Sequence, residues 1–409
     1  LFYAYKTNFI MYNTILSFLL MVSAFSVSAQ TVGTGRPVLL GPEVNTIYGD
    51  ADPKISPDGQ WLFICRRNDP DNIGGPDTGA DIWWSVRQAD GSWSKAVNMG
   101  PSMNNIRFNM VIGIREDGNA LMLQGLYEGN LFSFDGVSVC YRTDQGEWSK
   151  PIGMKIRDYK HKEGSVSYSL SPDFQTMLLG IREKDSFGEE DIYVSFRQPD
   201  DTWSKPKNLG ATINTAKGEI SPVLAHDGKT LYFSSRGHVG YGNYDIFMTK
   251  RLDDTWTNWS PPVNMGELIN TPGYDADLTL DAKGEVAYFS RKVHHATGFD
   301  IYQVTLPEAL KPDPVVLVKG RVQALQNGAP LKAAVSFYNK HTGEFVAKTE
   351  SQSGNGNFQI ILKYGCNYSL QAALQEETSA PVLLDLSQLK GYQEIEQTLI
   401  LKAPPSPNN

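Results

Sequence analysis

A block of about 55 residues recurs through most of this chain. SWSKAVNMG at Ser92 returns as EWSKPIGM at Glu147, TWSKPKNLG at Thr202 and NWSPPVNMG at Asn258, setting Trp93, Trp148, Trp203 and Trp259 at steps of 55, 55 and 56. A second block runs DIWWSVR at Asp81, GVSVCYR at Gly136, DIYVSFR at Asp191, DIFMTKR at Asp245 and DIYQVTL at Asp300. A third is a turn, SPDGQWLFI at Ser56 and its counterparts at Arg115, Ser171, Ala225 and Asp281. A fixed period of this length means stacked copies of one supersecondary unit. Asp-Gly between apolar runs is a hairpin signal, so each unit reads as four short antiparallel strands.

Five such units cover residues 50–306. The segment from Arg36, RPVLLGPEVNTIYGD, matches SKPKNLGATINTAKGE from Ser204, so the chain opens on the last strand of a unit while the fifth unit stops without one. Complementary ends let the first strand complete the last sheet, removing the edges an open array would expose. The expected fold is all-β: a five-bladed β-propeller followed by a small β-sandwich. The boundaries are 1–29 for a signal peptide, 30–309 for the propeller, 310–314 for a linker, 315–402 for the sandwich and 403–409 for a disordered tail.

The Ser-Pro-Asp-Gly turns and Asp-Ile-Tyr strands resemble the PD40, or TolB-type WD40-like, propeller repeat. After the proline break at Lys311, VKGRV, the Thr342-Gly343-Glu344 turn and GNFQIILKYGCNYSL resemble the carboxypeptidase regulatory-like domain, which implies a small transthyretin-like β-sandwich without catalytic residues. The pair together is similar to the middle of the PorE-type OmpA-family proteins of Bacteroidetes. That resemblance implies a periplasmic protein at the outer membrane, associated with the type IX secretion system. The peptidoglycan-binding OmpA domain usual in such proteins has no counterpart in these residues, so peptidoglycan anchoring is not implied.

Near the start, an apolar run from Ile15 to Phe25 followed by Val27-Ser28-Ala29 fits a secretory signal cleaved before Gln30, and no run is long enough to span a bilayer. The formal charge of −8, with both signs mixed along the chain, offers no basic stripe for nucleic acid. Cys65, Cys140 and Cys366 lie in strand-like runs without ligand spacing and are expected as buried free thiols.

The first strand of each blade is expected to line the central channel. Counting back from each turn gives Asp50, Asn109, Ser165, Glu219 and Asp275, and two residues on Asp52, Val111, Ser167, Ser221 and Asp277. Strand alternation puts both sets on one face. Asp50, Asp52, Glu219, Asp275 and Asp277 would then converge near one mouth, as a solvated polar lining, as a calcium site, or as the paired carboxylates of a glycosidase using Asp50, Glu219 and Asp275.

Two further candidates lie on loops. Tyr241 and Tyr244 in the loop GHVGYGNY offer flat faces to a protein or glycan, and His294-His295 sits in the matching loop of the fifth unit. A Gly-x-Ser-x-Gly elbow, a phosphate-binding Gly-Lys loop and a His-Glu-x-x-His helix are absent from the sequence. The reading is therefore a non-enzymatic exported binder or scaffold without a required cofactor, its partner an envelope or secretion-system protein or a glycan. The alternative is a carbohydrate-active or metal-binding propeller.

Overall fold

A computed structural model describes residues 35–128, 131–161, 164–292 and 298–402. The signal peptide, His294-His295 and the C-terminal tail lie outside the described residues. Every blade is a four-stranded antiparallel sheet, in sequence order in four of the five. After β1 (Val38–Leu39), blade 1 comprises β2 (Gly49–Ile55), β3 (Trp61–Arg67), β4 (Ala80–Val86) and β5 (Val97–Asn98). Blade 2 is β6 (Val111–Ile114), β7 (Ala120–Glu128), β8 (Leu131–Tyr141) and β9 (Ile152–Lys155). Blade 3 is β10 (Ser167–Leu170), β11 (Thr176–Ile181), β12 (Asp191–Phe196) and β13 (Lys207–Asn208). Blade 4 is β14 (Glu219–Leu224), β15 (Thr230–Ser235), β16 (Asp245–Lys250) and β17 (Val263–Asn264). Blade 5 takes β18 (Asp275–Leu280), β19 (Val286–Lys292) and β20 (Phe299–Thr305) from its own stretch of chain, and β1 supplies its fourth strand, with Val38 opposite Gln303 and Leu39 opposite Tyr302.

The first strands touch in a closed cycle, β2 to β6 to β10 to β14 to β18 and back to β2, which makes the five sheets a propeller. Each pair of neighbouring blades encloses its own apolar layer. Trp203, fully buried, packs with Met154 and Tyr168 between blades 2 and 3. Phe233 and Trp259 meet Leu178 and Val194 between blades 3 and 4, while Tyr288 and Ile301 meet Leu62 and Trp83 where blade 5 returns to blade 1.

The repeated polar residues hold these layers in register. In the turn before β3, Ser56 Oγ donates to Asp58 and accepts from the Trp61 N–H at 2.9 Å, while Gly59 takes the left-handed φ of 71° that the turn requires. The aspartate that opens the third-strand block in four of the five units is local architecture in blade 3 too. Asp191 Oδ2 accepts from the Phe187 N–H and from Asn208 Nδ2, both at 2.8 Å, closing the preceding loop onto the outer strand.

An asparagine in the link between blades makes the strongest joint. Asn45 Nδ2 donates to the Leu40 and Ile301 carbonyls, both at 2.9 Å, and its Oδ1 accepts the Ile301 N–H at 2.8 Å. Asn104 grips Ile82, Asn214 grips Ile192 and Asn270 grips Ile246 in the same way, and all four asparagines are buried.

Beyond a short helical turn at Glu308–Leu310, two sheets enclose a second core. One holds β21 (Val315–Ala324) between β24 (Asn357–Lys363) and β28 (Gln393–Leu401), the latter parallel to β21. The other holds β22 (Ala334–Asn339), β23 (Phe345–Glu350), β25 (Asn367–Leu374), β26 (Glu377–Thr378) and β27 (Val382–Asp385). Val316, Val318 and Ile360 of the first sheet face Val335, Phe337 and Leu370 of the second. Cys65 and Cys140 are buried and free, as read, but Cys366 is exposed. It sits in the bend after Gly365 and not inside a strand.

Asn45→Ala removes three buried hydrogen bonds from the joint that closes the ring, and is expected to cost about 2–4 kcal/mol. Urea unfolding of Asn45→Ala beside Asn270→Ala checks this, and equal midpoints for both variants and the parent would refute it.

Candidate functional site

The five channel carboxylates do not act as one set. Asp50, Glu219 and Asp275 have side chains with no exposed surface, and each is held by the same device. The Thr46 N–H and Oγ1 donate to Asp50 at 2.7 and 2.9 Å, those of Thr215 to Glu219 at 2.8 and 2.7 Å, and those of Thr271 to Asp275, both at 2.7 Å. The opposite strand completes the shell: Arg66 Nε lies 2.6 Å from Asp50, Arg291 Nε 2.6 Å from Asp275, and Ser235 Oγ donates to Glu219 at 2.7 Å. Burial raises the pKa of Asp50 and Glu219, against the pull of these donors. A carboxylate enclosed in this way fastens the link before its strand and presents nothing to a ligand.

The expectation that residues two apart share a face fails for a local reason. The ladder slips between Ala51 and Lys54, between Ile220 and Val223, and between Ala276 and Thr279, one extra residue each time. These are β-bulges, and they break the alternation. Asp52, Ser221 and Asp277 hold left-handed φ values of 52°, 50° and 57° at the three bulges, and their half-buried side chains meet across blades 1, 4 and 5. Ser221 Oγ donates to Asp277 Oδ1 at 2.5 Å, the Ser221 N–H donates to Ser167 Oγ at 2.9 Å, and the Asp52 N–H donates to Ser290 Oγ at 2.9 Å.

The Asp52 and Asp277 carboxyls lie within hydrogen-bond reach of each other. Burial first, and the neighbouring Asp277 charge second, push the Asp52 pKa up to about 7, with Lys54 and Arg67 opposing. Two of the five predicted carboxylates therefore converge. Among the described residues no group of three or more His, Cys, Asp or Glu is placed to hold a metal ion.

Of the loop tyrosines, Tyr241 is exposed, but Tyr244 is buried. Its ring centroid is 5.0 Å from that of Tyr274, and the Arg236 guanidinium lies over it. It supports the blade 4 to blade 5 joint and is closed to a partner.

The sequence reading missed a cleft of about 1220 Å³ between blades 1 and 2 and the β21–β24–β28 sheet. Two hydrogen bonds span its floor: Gln352 Nε2 to Asn119 Oδ1 and Gln359 Nε2 to the Glu116 carbonyl, both at 2.8 Å. On another side of the junction, Tyr232 Oη donates to the Leu310 carbonyl at 2.6 Å and the Asp313 N–H to Asp227 at 2.9 Å. Burial, with the Asp173 and Asp117 charges beside it, pushes the Glu116 pKa up to about 8, and the Ile361 N–H opposes.

The cleft walls combine Trp61, Tyr141, Trp148 and Arg142 of the propeller with Arg321, Gln323 and Gln397 of the sandwich. Trp61 stacks on Trp84, ring centroids 4.8 Å apart, and Arg142 lies over Trp61 and Trp148 at 4.4 and 4.8 Å. The available signal was Trp61, a bulky aromatic where the other turns continue with Ala120, Thr176, Thr230 and Val286.

No family model matches the chain, and no curated protein does. Among solved structures it is similar to an α-L-arabinofuranosidase from Lactobacillus brevis, at 13% identity over 68% of this chain and 99% of that one, with a TM-score of 0.42. Similar too is Zg3597, a family 117 glycoside hydrolase from the marine bacterium Zobellia galactanivorans, at 12% identity over 68% and 92%, with a TM-score of 0.43. A luciferin-regenerating enzyme matches at 10% identity over 68% and 98%, with a TM-score of 0.36. The fold resembles the five-bladed propellers of glycoside hydrolases, and likeness at this level carries no activity with it.

A carboxyl with a raised pKa binds its proton more tightly in the folded chain. The Asp52 contribution to stability is therefore full below the ordinary value of 3.8 and is lost as pH rises through about 7. Asp52→Asn should remove that loss, gaining on the order of 2–4 kcal/mol on the parent between pH 4 and pH 8. Urea midpoints at several pH values measure the difference, and parallel pH profiles for the two proteins would exclude the shared-proton arrangement.

Proposed function

We propose that this chain is a non-enzymatic binding protein of the bacterial envelope that takes a glycan in the cleft between its propeller and its sandwich. The observation that carries the reading is the cleft itself. A volume of about 1220 Å³ accommodates several sugar rings, and its walls set aromatic surface beside amides. Gln145, Gln323 and Gln397 each pair a donor with an acceptor, the pattern that vicinal hydroxyls need, and Trp148 offers apolar area to the C–H face of a ring.

Binding without hydrolysis is favoured by how the acids are used. Asp50, Glu219 and Asp275 are enclosed by donors of their own blades. A glycosidase flanks the scissile bond with carboxyls roughly 5–9.5 Å apart, whereas Asp52 and Asp277 are within hydrogen-bond reach. The resemblance of the repeat and of the second domain to PorE-type proteins supports an exported protein on the periplasmic side of the outer membrane, associated with type IX secretion. Envelope fractionation and recovery of secretion subunits with the tagged chain check that part.

The cleft reading is tested by calorimetry against a panel of envelope and extracellular oligosaccharides, with reducing-end release followed in parallel. The expected outcome is binding that weakens about tenfold in Trp148→Ala, by loss of stacking area, with no new reducing ends. Reducing-sugar release abolished by Asp52→Asn with Asp277→Asn would instead establish the carbohydrate-active alternative.

A further inference from the structure

We propose that the glycan is acidic, a uronate-containing oligosaccharide whose carboxylate is read by Arg142, with Arg321 as a second cation on the opposite wall. The inference rests on the glycan-binding reading above and adds the charge of the ligand. Arg142 occupies a repeated position, so the other blades serve as internal controls. In blade 3 the equivalent Arg197 is neutralised by Asp201 of its own turn at 2.7 Å, and in blade 4 Arg251 by Asp254 at 2.8 Å. In blade 1 Arg87 donates to Tyr288 Oη at 3.2 Å.

Among the described residues Arg87 has no ion pair either, and blade 2 differs from blade 1 in setting its arginine between two indoles that line a cleft. Its turn acid, Asp144, faces Lys332 of the sandwich at 3.5 Å, and Arg142 Nη1 donates to the Gly146 carbonyl at 2.9 Å. Burial lowers the Arg142 pKa. The site holds a partly desolvated guanidinium between two indole rings, and among the described residues it has no ion-pair partner, although Asp58 and Asp144 line the same cleft. Burying a charge without a partner is costly, and an incoming carboxylate would offset that cost.

The aromatic wall is also peculiar to this place. Trp61 and Trp84 replace the small or unbranched residues of the other copies, Val139, Val194, Met248 and Gln303 standing where Trp84 does. Arg321, on β21, is exposed in the same cleft, and among the described residues it has no ion-pair partner. A guanidinium presents a planar fork that matches a carboxylate in two parallel hydrogen bonds, and the indole beside it offers apolar surface to the ring that bears the acid.

The probes are tetragalacturonate, tetramannuronate and their fully methyl-esterified forms, which keep the sugars and remove the charge. Calorimetry and tryptophan fluorescence should show at least one acid binding, with its ester about tenfold weaker or more. Arg142→Met should erase the acid-over-ester preference, and Arg142→Lys should restore only part of it, since an ammonium lacks the fork. Arg321→Met, at an exposed position, should cut the preference severalfold and keeps the test valid if the Arg142 variant fails to fold. Equal affinity for acid and ester, or a preference untouched by both variants, overturns the inference while the glycan reading stands. No binding of either acids or esters, with neutral glycans of the panel bound, also overturns it. No glycan bound at all overturns both.

Discussion

The buried asparagine between blades is the constraint on which the rest depends. One side chain takes both the N–H and the C=O of an isoleucine in the preceding blade, fixing where the link turns and where the next first strand begins. The threonine that follows Asn45, Asn214 and Asn270 then caps the first acid of the incoming strand. The carboxylates at these positions are thus the far ends of a joint. Their burial is tolerable because every one is met by charge-assisted donors, and losing those donors would leave a charge stranded in the core.

The fold was legible because repetition tests itself: Trp93, Trp148, Trp203 and Trp259 keep phase together, and the match between Arg36 and Ser204 announces how the ring closes. The site was less legible, for two reasons. Bulges after Ala51, Ile220 and Ala276 insert one residue that alternation cannot foresee, so Asp52 and Asp277 part from the acids two places before them. The cleft, moreover, is assembled from residues as far apart as Trp61 and Gln397, on two domains whose mutual placement no local pattern encodes. What the sequence does carry is departure from the repeat, and Trp61 and Trp84 are such departures.

Proton affinity is raised most at two carboxyls, Asp52 beside Asp277 and Glu116 at the junction with the sandwich. Both favour the folded, joined chain at mildly acidic pH and weaken it as pH rises toward 8. The second bears on the cleft directly, because Glu116 stands beside the hydrogen bonds that form its floor.

Ring closure has a consequence for the order of events in synthesis. Asn45, in the link before blade 1, has its partner Ile301 a separation of 256 residues away. Contacts between such distant parts of a chain form slowly. Blade 5 has no fourth strand until its β20 arrives, so the circle cannot seal before nearly the whole propeller has been delivered. A chain that emerges from its N-terminal side holds its clasp open until the last blade arrives, and only then can it be fastened.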